Sequence, residues 1–220
     1  MIFAALQGFS GYKNPPRPAP SVGAWKIHHR LAQHPDTSDR RRYWLSCDAW
    51  DCDVEAQAYK AVERKPDKIM CYAAHSYGAG RAFRDWCKVL HRWGREVDLV
   101  NLIDPVPRYD GVRNAWPLFT FRSLWGSALY RVPDNVKKVC IWYTVNRESR
   151  FSPRGRDVEA RDGLHVIFRA VYGHGDLTTK QWPGGLHRIA PEVYHGNIDD
   201  HQQVQDECYA WTMKELGLDA

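Results

Sequence analysis

The sequence lacks any run of 18 apolar residues, which excludes an ordinary transmembrane helix. It has 6 cysteines but no CxxC pair and no regular cysteine framework, so a disulfide scaffold is not expected. Repeats and low-complexity segments are missing, and the globular composition excludes collagen, coiled coil and disorder. The apolar start, Met1–Leu6, has no basic region before it and is unlike a secretory signal. We therefore expect a cytoplasmic protein with buried, reduced thiols.

Neither sign of charge dominates the chain, since 31 Lys and Arg face 26 Asp and Glu, for a net charge of +5. This balance permits an anionic partner but does not require one, and we expect no nucleic acid. What the sequence does have is aromatic weight, with 10 Trp, 11 Tyr and 7 Phe. Such side chains suit core packing and also an apolar ligand surface.

Short apolar runs alternate with helical patterns along the chain. The runs predict about six strands: Ile2–Leu6, Tyr43–Trp50, Lys68–Ala74, Asp98–Ile103, Lys138–Val145 and His165–Tyr172. Apolar residues at three- and four-residue steps predict helices after Ser21, around Ala58, from Ala79 to Trp93 and near Val204, the last with a capping box at Asp200 and Gln203. This alternation predicts one α/β domain over residues 1–220, with a mostly parallel sheet and helices on both faces.

The most informative segment is the apolar strand that runs through Ala74-His75-Ser76-Tyr77-Gly78 directly into an amphipathic helix. A nucleophile elbow requires this context, because side chains two positions before and after the serine would collide in its tight turn. Gly78 and the small Ala74 meet that requirement. The turn raises the Ser76 hydroxyl above the sheet and directs the Tyr77 amide at a developing oxyanion. The alternative is a serine that only caps a helix.

This segment resembles the serine elbow of the α/β-hydrolase superfamily, with AHSYG in place of GxSxG. The resemblance implies an α/β-hydrolase fold in a minimal version that lacks the opening antiparallel strands. Gln7-Gly8-Phe9 is similar to the His-Gly-Phe turn of lipases in this superfamily, with Gln7 in place of histidine. It implies that the Phe9 amide donates to the oxyanion together with that of Tyr77, and Gly8 allows the substrate to approach the backbone closely. An ordinary strand-end turn is the alternative.

The candidate acid is Asp104, in the segment Val100–Pro105 at the carboxyl end of a buried strand, where sites gather in open α/β sheets. The segment resembles the Leu-Asp-Pro of the pancreatic-lipase-like branch, whose acid orients the catalytic imidazole. Other superfamily members place the acid one strand later, where Glu148 would be the candidate. We favour Asp104, because a strand-end acid is better buried than one between two arginines. A turn acid before Pro105 is the non-catalytic interpretation.

The candidate base is His195. The sequence has 10 histidines, so residue type alone does not distinguish His195 from the others. The superfamily order of serine, acid and histidine places the base in the last loop, and His195 lies shortly before the helix that starts near His201. His75 should point away from Ser76. A rival interpretation is a zinc or manganese site in the same stretch. Its ligands would be His195, Asp199, Asp200 and His201, with His174 and Asp176.

An aromatic, proline-punctuated segment at residues 108–133 follows the strand that bears Asp104. The superfamily often has a lid at this place, so the resemblance implies a lid-like insertion whose Trp116 and Phe119 line an acyl pocket. Completion of the core by the same side chains is the open alternative.

Together these residues predict a serine hydrolase that cleaves a carboxylic ester or thioester. Ser76 attacks, His195 transfers the proton, Asp104 holds His195, and an acyl-enzyme forms. No metal and no organic cofactor is expected, and the partner is a small ester or acyl substrate. The alternatives are a thioesterase or amidase, and a non-catalytic ligand- or polyanion-binding protein on a hydrolase scaffold.

Overall fold

A computed structural model of the chain describes residues 2–7, 23–38, 42–46, 58–59, 62–63, 67–76, 78–106, 129–146, 155–174 and 185–219. Its strands are β1 (Ile2–Gln7), β2 (Arg42–Ser46), β3 (Ile69–His75), β4 (Val97–Ile103), β5 (Val136–Thr144), β6 (His165–Gly173) and β7 (Leu186–Ile189). Its α-helices are α1 (Gly23–Gln33), α2 (Pro35–Ser38), α3 (Phe83–Arg92) and α4 (Gln202–Leu216). A π-helical turn (Gly78–Ala82) leads into α3, and a 3-10 turn (Ile198–Asp200) precedes α4.

The described strands form one seven-stranded sheet in the order β2-β1-β3-β4-β5-β6-β7, and all neighbouring strands are parallel. All six predicted strands belong to it, so the expected α/β architecture with a parallel sheet is confirmed. The expected number of strands is one too low, because β7 was missed. Its sequence, Leu-His-Arg-Ile, contains no apolar run, and its edge position leaves its side chains exposed or half-buried.

The sheet is covered on both faces, as the alternation in β3 demonstrates. Ile69 and Cys71 pack into a core with the buried side of α3, which includes Phe83 and Trp86. Met70, Tyr72 and Ala73 of β3 pack into a second core with α1 and α4. This second core includes Ala24, Ile27 and Leu31 of α1, all fully buried, as their spacing in the sequence predicted.

The start of α4 differs from the prediction. The predicted capping box is wrong, because His201 is the N-cap and makes no side-chain capping bond, while the Asp200 carboxylate pairs with Lys26 of α1 at 3.4 Å. A tertiary ion pair thus replaces the local cap. At its other end, α4 stops at Gly217, which takes a left-handed conformation with φ of 72°.

The predicted insertion is described only at its end, because residues 108–128 lie outside the described ranges. Tyr130 is buried, and its hydroxyl donates a hydrogen bond to the Ala79 carbonyl in the π-helical turn. The end of the predicted insertion is therefore packed against the segment that follows Ser76. Among the described helices, none combines the length and the apolar character that crossing a membrane requires.

Candidate active site

The strand order locates the place where a parallel sheet ordinarily binds ligands. From β1 the chain passes to β2 on one side and then returns to β3 on the other. The strand order therefore reverses between β1 and β3, and ligands of open α/β sheets bind outside the carboxyl ends of strands at such a point. Ser76 directly follows the carboxyl end of β3.

Ser76 lies in a sharp turn between β3 and the π-helical turn. Its φ is 54°, a left-handed backbone conformation that residues other than glycine rarely adopt. The backbone after β4 passes close above this turn, where the Val106 amide donates to the Ser76 carbonyl at 3.3 Å. A Cβ on Gly80 would lie 2.4 Å from the Val106 carbonyl oxygen, so the approach requires glycine. The turn thus has the tightness that a nucleophile elbow needs.

Three residues that are far apart in the sequence form one chain of hydrogen bonds. The Ser76 hydroxyl lies 2.7 Å from Nε2 of His195, and Nδ1 of the same ring bonds to Oδ2 of Asp104. Solvent exposure decreases along this series of hydrogen bonds: Ser76 is half-buried, His195 is 8% exposed, and Asp104 has no exposed surface. The hydroxyl can meet a substrate, while the carboxylate is shielded from water. This arrangement can remove a proton from the serine and hold the resulting imidazolium.

Three features hold Asp104 in position: its backbone conformation, a hydrogen bond and a close packing contact. It has a left-handed backbone with φ of 45°, a conformation in which aspartate is enriched. Its Oδ1 accepts a hydrogen bond of 2.8 Å from the Thr144 amide at the end of β5. Gly155 packs directly over it, since a Cβ there would lie 2.2 Å from Oδ1. These contacts leave Oδ2 aimed at His195.

The loop that carries His195 is bound to the end of β5. Asn146 donates from its side-chain nitrogen to the carbonyls of Ala190 and Val193, at 2.8 and 2.6 Å. The Thr144 hydroxyl also donates to the Val193 carbonyl, at 3.0 Å. The strand end that orients Asp104 therefore holds the segment just before His195 as well.

A second histidine lies beside the first. The ring of His75, the last residue of β3, is 5.5 Å from the ring of His195 between centroids. Its Nε2 is 3.2 Å from the His195 carbonyl oxygen, and its Nδ1 is 3.4 Å from Oδ2 of Asp199. No local pattern around His75 predicted a partner in the last loop.

Three residues of the rival metal interpretation have other partners. His195 uses both ring nitrogens, Asp199 faces His75, and Asp200 faces Lys26. Burial raises the pKa of the Asp200 carboxyl above its ordinary value, as does the Asp199 carboxylate, whereas Lys26 lowers it. Within the described ranges no three His, Cys, Asp or Glu side chains are grouped as metal ligands. Asp176 lies outside these ranges.

Several predicted site residues lie outside the described ranges. They are the oxyanion candidates Phe9 and Tyr77, the substrate-binding candidates Gly8, Trp116 and Phe119, and the alternative acid Glu148. Their roles stay predictions.

The described thiols are not suited to nucleophilic attack. Cys71, Cys87, Cys140 and Cys208 are free and buried, and burial raises the pKa of each of these thiols above its ordinary value. A thiol must ionise to attack, so these cysteines do not compete with Ser76 for that role.

Sequence reasoning missed the supporting residues Thr144, Asn146, Gly155, His75 and Asp199. The one usable signal was position, since Thr144 ends the strand beside the one that supplies Asp104, and Asn146 follows two residues later. Their partners depend on the tertiary fold.

Comparison with protein-family models, with curated proteins and with solved structures finds no match for this chain. A functional interpretation therefore rests on the geometry of its own residues.

Proposed function

We propose that the chain is a serine hydrolase with an α/β-hydrolase fold that cleaves carboxylic esters. The observation that supports the proposal is the hydrogen-bonded series Ser76, His195 and Asp104 at the carboxyl ends of parallel strands. A serine that only capped a helix would not need a buried imidazole and a buried carboxylate aligned behind its hydroxyl. The strained φ of Ser76 adds support, because backbone strain of this kind is concentrated at functional sites.

In the first half of the proposed reaction, Ser76 Oγ attacks the ester carbonyl carbon while Nε2 of His195 takes the hydroxyl proton. The carbonyl oxygen becomes an oxyanion, which the amides of Tyr77 and Phe9 stabilise. Asp104 accepts from Nδ1 of the imidazolium and keeps it oriented. The tetrahedral intermediate then expels the alkoxide, which leaves as an alcohol with the proton from His195. The product is an acyl ester of Ser76.

Water completes the second half. His195 takes a proton from a water molecule, whose oxygen attacks the acyl carbon. Collapse of the second tetrahedral intermediate releases the carboxylic acid and returns the proton to Ser76 Oγ. The bonds made and broken balance to ester plus water giving acid plus alcohol, and no step draws on a metal or an organic cofactor.

A panel of p-nitrophenyl esters of increasing acyl length tests the proposal. The chain should release p-nitrophenol with saturation kinetics, and Ser76→Ala should remove the activity while its circular dichroism spectrum and melting temperature stay unchanged. His201→Ala is the matched control, since His201 lies close in sequence to His195 but packs against Tyr172. A chain that hydrolyses neither these esters nor the matching thioesters and anilides would contradict the proposal and favour a non-catalytic binding protein.

A further inference from the structure

His75 and Asp199 form a buried polar pair directly behind the candidate base. His75 is 7% exposed and Asp199 is 3% exposed, and neither belongs to the series of residues that moves the proton in the proposed reaction. Burial of an imidazole and a carboxylate is costly unless their polar atoms are satisfied. The pair therefore needs a structural or functional explanation.

The position of the hydrogen on the His75 ring follows from its contact with the His195 carbonyl. The His195 carbonyl oxygen can only accept, so Nε2 of His75 must carry the hydrogen at the 3.2 Å contact. The opposite nitrogen, Nδ1, then faces the Asp199 carboxylate at 3.4 Å. Both edges of the His75 ring are thus held, one by the backbone of the base and one by an acid.

Asp199 is itself fixed in place. Its carbonyl accepts a hydrogen bond of 3.0 Å from the Gln205 side chain in α4. The same carbonyl lies so close to α1 that a Cβ on Gly23 would be 1.5 Å from its oxygen. The acid therefore gives His75 a rigid support on the face of the sheet covered by α1 and α4.

His75 and Ser76 are consecutive residues at the end of β3, which gives the contact a particular consequence. The side chain of Ser76 meets the ring of His195, and the side chain of His75 meets the backbone of His195. The end of β3 thus holds both partners of the proton transfer, Ser76 Oγ and Nε2 of His195, which lie 2.7 Å apart. A movement of the His195 loop would have to break the His75 contact before the ring could leave Ser76.

We propose that His75, supported by Asp199, is a positioning residue that fixes the backbone of His195 relative to Ser76. The inference rests on the proposed function, in which His195 is the base. His75 does not touch the substrate or the reacting atoms; it keeps the acceptor nitrogen of His195 at the serine. Misplacement of a catalytic group by about 1 Å can cost roughly 10²-fold in rate.

Substitutions that restore only one ring nitrogen test the proposal. The amide nitrogen of glutamine occupies the place of Nε2, and that of asparagine the place of Nδ1. We expect His75→Ala and His75→Asn to lower kcat by roughly 10²-fold with little change in KM. His75→Gln should recover most of the lost kcat, since it can donate to the His195 carbonyl. His201→Gln, the same change at a histidine close in sequence to His195, should leave kcat unchanged.

Equal activity in the glutamine and asparagine variants, or a His75→Ala protein with normal kcat, would overturn the inference. If His75→Ala does not fold, the comparison of glutamine with asparagine still decides the question. Asp199→Asn should also lower kcat without raising KM, by less than His75→Ala does, because asparagine keeps the size of the side chain and its amide can still hydrogen-bond to Nδ1 of His75.

A spectroscopic measurement separates this inference from the proposed function. With isotope-labelled histidine, the Nδ1 proton that His195 shares with Asp104 should give a low-field NMR resonance in the parent chain and in His75→Gln. It should broaden or vanish in His75→Ala and His75→Asn. This readout needs no substrate. Inactivity of the parent chain toward all acyl substrates would refute the proposed function alone, whereas an unchanged resonance in His75→Ala would refute the positioning role.

Discussion

Replacement of Asp104 by asparagine tests the candidate site with almost no change in shape. In the parent chain, Oδ1 of Asp104 accepts from the Thr144 amide at 2.8 Å and Oδ2 accepts from Nδ1 of His195. The Thr144 amide is a fixed donor, so the asparagine oxygen must stay on that side. The asparagine NH₂ then faces Nδ1 of His195, where a donor meets a donor.

The imidazole can relieve this conflict by carrying its hydrogen on Nε2 instead. In that tautomer Nε2 cannot accept the proton of Ser76, although it still lies 2.7 Å from the hydroxyl. A triad with the wrong tautomer loses about 10⁴-fold in kcat. This loss corresponds to about 5.5 kcal/mol of transition-state stabilisation. The fold should survive, because the buried Asp104 site keeps its volume and its bond to Thr144.

The assay compares kcat for p-nitrophenyl ester hydrolysis in the parent chain, in Asp104→Asn and in Glu148→Gln, with chemical denaturation as the check on folding. We expect the large loss in Asp104→Asn and little change in Glu148→Gln. The opposite ranking would move the acid to the segment after β5. A well-folded Asp104→Asn protein that keeps its kcat would refute the tautomer argument altogether.

Three further predictions address packing and specificity. Gly155→Ala should lower kcat and reduce the free energy of unfolding by about 1–3 kcal/mol, since the new Cβ would lie 2.2 Å from Oδ1 of Asp104. A variant with normal kcat and normal stability would show that the backbone around Gly155 shifts to accommodate the methyl group. Asn101→Ala should lower the free energy of unfolding by about 2–4 kcal/mol in a urea titration with kcat preserved, because its side chain donates to the carbonyls of Tyr72 and Cys208. Trp116→Ala should impair long-chain esters more than acetate, since each buried methylene is worth about 0.8 kcal/mol, and equal loss for both would indicate a structural role.

Local features of the sequence predicted most of the sheet and its coverings. Buried parallel strands are continuous apolar runs, and each of the six predicted strands contains one. The edge strand β7 was missed because an exposed edge does not need such a run. The predicted capping box at Asp200 was wrong because a contact with Lys26, 174 residues away, competes for that carboxylate. Local patterns contain no information about such partners.

The three central site residues were predicted for different reasons. Ser76 was visible from its strand-turn-helix context, and Asp104 from its place at a strand end. His195 was selected by the order of residues that a superfamily resemblance implies, since 10 histidines offered no local distinction. The partners of these residues could not be predicted, because Thr144 lies 40 residues from Asp104 and His75 lies 120 residues from His195. Only the folded sheet brings them together.

Covalent labelling determines whether Ser76 is an activated nucleophile. A fluorophosphonate reacts with a serine only when a base and an oxyanion site assist it. We predict that the native chain forms one adduct, that mass spectrometry of the digested protein locates it on the peptide containing Ser76, and that Ser76→Ala and the denatured chain form none. An unlabelled native chain, or an adduct on any other residue, would contradict the assignment of Ser76 as the nucleophile.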